Sequence, residues 1–491
     1  MKYRYTYFLL ILFLLTGIFT SCTKQWDKHD IITDAQLTKT LLDQINQNTT
    51  LSTFSSYLQK TGYDKLIASS KTFTVWAPNN AALQSLDQSI VADTVKLKQF
   101  VGNFISNQSY LTSAAQPSIR IKTLNGKNIT FTQTTFEEAN IIQANQYVAN
   151  GILHIIDKAV TPKMNIWEFV NSTTTVGLKQ KAYLQTLSYT YVDTTQATQT
   201  GVDPTTGKPI LKPGTGVINA NTYLNTVADV SNEDKQYTFI VLTDAAYDTE
   251  RNKVSKFFTT TGNYGTKGLD STTYLSAFNV LKDVTINGLI TPAQLTDTLL
   301  SVNNVKVPIN KSAILQTYYA SNGIVYVMSS VPFRITDKIP TVYIQGENPA
   351  SFARTDKNNN IQYRSRRDQS GNITNDILIA GSGAGSLTAQ FYAQYLIQNL
   401  YSAQYKVYWR ASNDTGTVFS QQLSFGTSTA ATFVYTPVPV ANTGTYSEVS
   451  LGNYTQSKYG NINMFMTGAN NTTTGTNSIT FDYVKLVPIT Q

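Results

Sequence analysis

The chain holds two histidines and one cysteine among its 491 residues. The side chains that most often ligate transition metals, or act as nucleophile and base, are therefore scarce. His29 lies in a polar stretch. His154 lies in the apolar run Ile152-Leu153-His154-Ile155-Ile156, and nothing is spaced to pair with it. That setting predicts a buried, hydrogen-bonded core histidine. No metal-ligand spacing and no phosphate-cradling loop occurs in the sequence. Gly381-Ser382-Gly383-Ala384-Gly385 has its third glycine out of place for a dinucleotide fingerprint, and it is not the Gly-x-Ser-x-Gly of a hydrolase elbow. It reads as a flexible turn. The inventory predicts no cofactor, no metal and no enzyme. Paired carboxylates alone stay open, because their pairing is spatial.

Cys22 takes its meaning from the stretch before it. Lys2 and Arg4 precede an apolar run from Phe8 to Phe19, followed by Thr20-Ser21-Cys22. A short basic region, a short apolar core and small residues before a cleavage point make a secretory signal. At about 12 residues the run is shorter than the ~20 that span a bilayer. The junction resembles that of Bacteroidota lipoproteins. The resemblance implies a signal peptide over 1–21, acylation of the Cys22 sulfur, and a lipid anchor in the outer membrane facing the cell surface. The other reading of these residues is a secreted protein with a free thiol. Residues 22–34 read as a polar tether.

Charge excludes one class of partner. The formal charge is +8, and removing Lys2 and Arg4 leaves 38 − 2 = 36 cations against 30 anions, or +6. No basic stripe is long enough for nucleic acid. Charged residues make up 14% of the chain, against ~25% in a typical domain. Thr, Asn, Ser, Gln and Tyr supply the polar surface instead, which suits a secreted, glycan-facing protein.

The elements that must position everything else begin at Phe73-Thr74-Val75-Trp76-Ala77-Pro78-Asn79-Asn80-Ala81-Ala82-Leu83. Phe73, Val75 and Ala77 alternate as a strand. Pro78 has no N–H for a ladder and ends it. Asn79 or Asn80 caps the helix that Ala81, Ala82 and Leu83 favour. Tyr237-Thr238-Phe239-Ile240-Val241-Leu242-Thr243-Asp244-Ala245-Ala246-Tyr247 repeats the pattern at an offset of 164 (Ala245 against Ala81). Asn150-Gly151-Ile152-Leu153-His154-Ile155-Ile156-Asp157 returns as Asn322-Gly323-Ile324-Val325-Tyr326-Val327-Met328-Ser329, at an offset of 172. Two motifs in one order at similar offsets predict a duplicated domain.

The first copy of these two segments resembles the signature of the fasciclin domain. The resemblance implies fasciclin-like domains over 35–162 and, in divergent form, over 163–338, with Leu242 standing for Pro78 and Tyr326 for His154. It also implies an adhesion role, and a structural one for His154. Asn79, Asn80 and Asp157 read as cap and turn residues. Helical periods at Leu37–Ile45, Leu51–Leu58 and Leu97–Ile105 come before strand patterns. Asn-Gly pairs at Asn125-Gly126 and Asn150-Gly151 mark hairpins, so the class is α+β. Gln196 to Ala220, rich in Thr, Gly and Pro, predicts a long surface loop.

Past Pro340 the composition shifts and the helical period disappears. Short strand patterns from Thr341 to Leu486 predict an all-β, jelly-roll-like sandwich over 341–491, with a domain boundary near Pro340. One expected strand is Ser478–Leu486. Tyr405-Lys406-Val407-Tyr408-Trp409-Arg410 and the final strand resemble carbohydrate-binding modules. Alternation puts Tyr405 and Trp409 on one face. Tyr401, Tyr408 and Arg410 are left as candidates to contact a sugar. Arg364-Ser365-Arg366-Arg367 reads as a solvated hairpin end. Two functions stand. One is adhesion through the fasciclin-like pair, with a surface protein as partner. The other is glycan binding by the sandwich, as an accessory to an outer-membrane polysaccharide uptake system. An exposed aromatic row on the sandwich favours the second, and an exposed apolar patch on the repeats favours the first.

Overall fold

A computed structural model describes residues 35–260, 270–353, 360–368, 370–379, 391–413, 418–427, 431–440, 446–469 and 478–490. Cys22 and the glycine-rich 381–385 stretch lie outside the described residues. The chain divides into two compact units: residues 1–169 with 230–236 and 319–323, and the remainder. Among the described residues, no helix is long and apolar enough to cross a membrane.

The first unit is built on a seven-stranded sheet. Its order is Ile105–Ser106, Phe73–Pro78, Gly151–Ile156, Ala139–Val148, Thr135–Phe136, Asn128–Phe131 and Ile119–Lys122. Phe73–Pro78 and Gly151–Ile156 run parallel, with Trp76 opposite His154. Both strands are buried on both faces, as strands covered on two sides must be. Helices Leu41–Gln47, Ser52–Thr61 and Thr94–Gly102 supply Leu41, Ile45, Phe54, Leu58, Leu97 and Phe100 to the core. Their starts were legible. Thr40 and Asp43 form a capping box, Asn79 caps the turn after Pro78, and Asp93 caps Thr94–Gly102.

Asn150 and Gly151 are demanded by geometry. The Asn150 side chain accepts from Leu41 N (2.8 Å) and donates to the carbonyls of Ile67 (2.7 Å) and Ser69 (2.8 Å). Losing it would strand buried polar groups at ~1–3 kcal/mol each. Gly151 has φ 153°, and a Cβ there would stand 1.9 Å from the Phe73 carbonyl oxygen, so no other residue fits.

The same bonds recur further along the chain. Asn322 accepts from Ile166 N and donates to the carbonyls of Val230 and Asn232, and Gly323 has φ 154°. Thr74 Oγ1 donates to the Gln108 carbonyl and accepts from Tyr110 N. Thr238 does the same with Gly288 and Ile290. His154 Nε2 meets the Tyr110 carbonyl at 2.9 Å, and the Tyr326 hydroxyl donates to the Ile290 carbonyl at 2.7 Å. A different side chain reaches the same backbone atom. The second sheet has the order Thr285–Asn287, Tyr237–Leu242, Gly323–Met328, Ile314–Ala320.

The stretch expected to be a loop over 196–220 contains paired strands. Ser188–Val192 pairs with Val217–Asn221, and Gln199–Val202 with Pro209–Leu211. The Thr, Val and Ile content suits strands, while Asp203 closes the tip turn by accepting from Thr205 N and Thr206 N.

The second unit also contains the C-terminal sandwich. One sheet has the order Val342–Gln345, Tyr483–Pro488, Gln404–Arg410, Glu448–Thr455. The other runs Ser351–Phe352, Tyr392–Leu400, Gly460–Gly468, Phe419–Gly426, Ala431–Val434. Their inner faces share Tyr395, Tyr405, Val407, Trp409, Leu423, Phe425, Met464, Val484 and Leu486. The single strand expected over Ser478–Leu486 is two: Ile479–Phe481 pairs with Ile373–Ile379, and Tyr483–Pro488 with Gln404–Arg410. The break falls at Asp482, whose carboxylate meets Arg410. Arg364 is not a solvated hairpin end. It forms a two-pronged pair with Asp376 at 2.7 Å and 2.7 Å within the ladder of Ile361–Arg367 and Ile373–Ile379. The change in composition at Pro340 is not a gap in packing. Ser402 N donates to the Phe257 carbonyl, Tyr459 N donates to that of Thr259, and Phe258 packs edge-on against Tyr401.

Candidate functional site: two outer faces of the sandwich

Tyr408 and Arg410 fall on the outer face of the sheet containing Gln404–Arg410, as alternation predicts. The register places two rows across four strands. One row is Tyr343, Lys485, Tyr408 and Ser450; the next is Gln345, Tyr483, Arg410 and Glu448. The ladder has an irregularity after Val407, but the extra residue, Leu451, is on the partner strand, so Gln404–Arg410 keeps its phase. Tyr401 is placed elsewhere. It precedes the strand, and its ring lies against Phe258 (5.3 Å) and Tyr459 (6.0 Å). Burial pushes its hydroxyl up to about 12.

The groups of this face are engaged with one another. Arg410 Nε donates to the Tyr446 carbonyl (2.9 Å), and its two terminal nitrogens meet Asp368 (3.1 Å) and Asp482 (3.3 Å). The guanidinium lies over the Tyr446 and Tyr483 rings, at 5.4 Å and 5.9 Å. Lys485 caps the Tyr408 ring at 4.8 Å and pairs with Glu448, which also accepts the Tyr483 hydroxyl at 2.7 Å. Burial pushes Asp482 up to about 6, with Arg410 opposing and the carboxylates of Glu347 and Asp376 adding to the rise. Burial also raises the Tyr483 hydroxyl, with the Glu448 bond adding to it. A ligand here would have to displace a cation from an aromatic face, or a carboxylate from Arg410.

The outer face of the opposite sheet differs in kind. Its strands Tyr392–Leu400, Gly460–Gly468, Phe419–Gly426 and Ala431–Val434 contain no charged residue. Outward positions are Tyr392, Gln394 and Leu396, then Thr467, Phe465 and Asn463, then Gln422 and Ser424. The Gln394 amide donates to Asn463 (2.9 Å) and accepts from Ser351 (2.9 Å). Tyr392 stands edge-on to Phe465 at 5.3 Å. Gln394, Asn463 and Gln422 are half-buried, and paired amides of that kind can offer donor and acceptor together. None of these residues was singled out from the sequence. The signal was available as three strands whose polar residues are amides and hydroxyls alone.

His154 is the core residue its sequence setting implied. It is fully buried, stacked on Trp76 at 5.8 Å, and its Nδ1 accepts from Asn145 N at 3.3 Å. Burial lowers it to about 4, against the Tyr110 carbonyl bond, so the ring is neutral and its valences are filled. Among the described residues, no group of three or more His, Cys, Asp or Glu is placed to hold a metal.

Among curated proteins, none matches the chain. A solved structure of a domain pair from the insect cell adhesion molecule fasciclin I is 14% identical. It covers 60% of this chain and 100% of its own, with a TM-score of 0.24. The C-terminal family 6 carbohydrate-binding module of a marine laminarinase from Zobellia galactanivorans is 14% identical, covering 30% of this chain and 99% of its own, with a TM-score of 0.20. A β-1,3-glucan-binding module of the same family from Bacillus halodurans is also 14% identical, covering 30% and 95%, with a TM-score of 0.22. Within the chain, residues 49–162 match the family model of the fasciclin domain.

Proposed function

We propose that this chain is a non-catalytic binding protein that holds an uncharged polysaccharide on the charge-free outer face of its sandwich. The observation that carries the reading is the contrast just described. On one face Arg410, Lys485 and Glu448 are engaged with one another and with the neighbouring rings; the other presents half-buried amides, hydrogen-bonded among themselves, with no charge to desolvate. Desolvating a charge without repairing it is costly, so a neutral, hydroxyl-rich ligand suits the second face. In this reading the signal over 1–21 is removed and Cys22 is acylated in the manner of Bacteroidota lipoproteins. The protein sits on the outer membrane, and residues 163–338 are a second, divergent fasciclin-like domain. The recurring bonds of Asn322 and Thr238 support that last point. The protein would then serve a polysaccharide uptake system as an accessory binder.

Affinity electrophoresis of the full chain in gels containing neutral or acidic polysaccharides tests the reading. Retardation by a neutral polymer, lost in the Gln394→Ala/Asn463→Ala double variant, is the expected result. Adhesion to a surface protein is the second reading. It is favoured by Ile142 (50% exposed) and Tyr147 (53%) on Ala139–Val148, and by Leu315 (62%) and Tyr319 (49%) on Ile314–Ala320. No retardation by any polysaccharide, together with attachment of the full chain to a protein-coated surface that is lost in Tyr147→Ser, would select it.

A further inference from the structure

The ribbon of Ser188–Val192 and Val217–Asn221 takes no part in either sandwich face. Among the described residues no third strand pairs with it. All five residues of Ser188–Val192 are exposed. Tyr191, Val192 and Val217 are about half bare, at 49%, 51% and 48%. Two strands alone are marginal in water, so a further strand would steady the ribbon. Asp193 N donates to the Gly216 carbonyl at 2.8 Å, and Thr222 N to that of Leu187 at 3.0 Å. Hydrogen-bonded pairs alternate along an antiparallel ladder. In the register that sets Tyr191 against Ile218 and Tyr189 against Ala220, both tyrosines therefore bond inward. The N–H and C=O groups of Ser188, Thr190 and Val192 point the other way, to the open edge.

Natural sheet edges are commonly guarded by charge or proline. Ile119–Lys122 ends its sheet with Arg120 and Lys122, and Glu448–Thr455 ends its own with Glu448. Ser188–Val192 contains no charge and no proline. We propose that this edge joins two copies of the chain, with Ser188–Val192 running antiparallel to its own mate about a two-fold axis at Thr190. The free backbone groups specify an extended strand as the occupant. The side chains fit that strand to be a second copy. An isologous contact meets itself, and no charge lies near the axis to be set against its like. Thr190 faces the partner's Thr190, Ser188 faces the partner's Val192, and these residues exchange N–H and C=O. Tyr189 faces the partner's Tyr191 at a position without hydrogen bonds, where opposed side chains stand closest. Aromatic pairs are among the stabilising cross-strand contacts. Within one copy the two rings already lie 6.2 Å apart, so pairing gathers the rings of both copies on one face. A contact one strand deep is smaller than a standard interface of ~1,600 Å². The dimer should therefore form reversibly, with concentration.

Sedimentation velocity of the purified full chain over a dilution series tests this. The share of dimer should rise with concentration. Thr190→Pro removes a donor that the single ribbon does not use, and Thr190→Lys sets like charges opposite each other on the axis. Each should weaken the dimer at least tenfold. Cross-linking reads the register directly. In a Cys22→Ser background, Thr190→Cys should join to its mate on mild oxidation, since directly opposed residues lie within disulfide reach. Thr200→Cys, exposed on the neighbouring strand Gln199–Val202, should stay reduced. A chain that remains monomeric throughout the series overturns the proposal. So does a dimer that persists in both Thr190→Pro and Thr190→Lys, or one that links through Thr200→Cys as readily as through Thr190→Cys.

Discussion

The two outer faces of the sandwich are built from the same strand grammar and reach opposite ends. Each alternates a buried residue with an outward one around a single shared core. On the Gln404–Arg410 side the outward residues include tyrosines with Arg410, Lys485 and Glu448, and these rings and charges engage one another. On the Tyr392–Leu400 side they are amides, hydroxyls and apolar groups, with no ion among them. Aromatic and cationic content alone is therefore a poor guide to a binding face. What counts is whether those groups are still available once the strands are side by side.

The comparison assumes a common core, and breaking it should have the largest effect. Trp409 is 1% exposed, so Trp409→Ala should destabilise the sandwich by ~3–5 kcal/mol. Chemical denaturation should show signals from both sheets lost together; loss of one sheet alone would separate the faces. Next comes the ion cluster. Asp482 titrates near 6 in the fold, above the ordinary ~3.9. The folded state thus binds the proton more tightly than the unfolded chain. Asp482 stabilises the fold below the ordinary value, and that stability is lost as pH rises from about 4 to about 6. Melting curves of Asp482→Asn should be flatter over that window than those of the parent.

The remaining predictions concern binding. Gln394→Ala should weaken retention by an uncharged polysaccharide about tenfold, the worth of one or two hydrogen bonds (~1–1.5 kcal/mol), with the melting temperature little changed. The smallest effect is expected from Tyr408→Ala. It removes a ring already capped by Lys485, so stability should move by about 0.5 kcal/mol or less and retention not at all.

Much of this was legible in the chain. Pro78, Asn79 and Gly151 announce their roles because each does something few other residues can: end a strand, cap a turn, or admit a backbone contact. The buried His154 could be read because its neighbours in sequence are also its neighbours in the strand. The Gln394–Asn463 pair could not, because it depends on which strands lie side by side, and register is set by long-range packing. Tyr401 was misplaced for a related reason. It lies before the strand whose alternation was applied to it, and its partner Phe258 is far away in sequence. The 188–221 ribbon was hidden by its turn residues, which punctuate the ribbon without preventing it.

The central claim is that the uncharged face binds and the ion-paired face does not. The most direct measurement is retention of the full chain by one neutral polysaccharide, comparing Gln394→Ala/Asn463→Ala with Tyr343→Ala/Tyr408→Ala. The account predicts that the first pair abolishes retention and the second leaves it intact. Retention that survives the first pair and disappears in the second would contradict it.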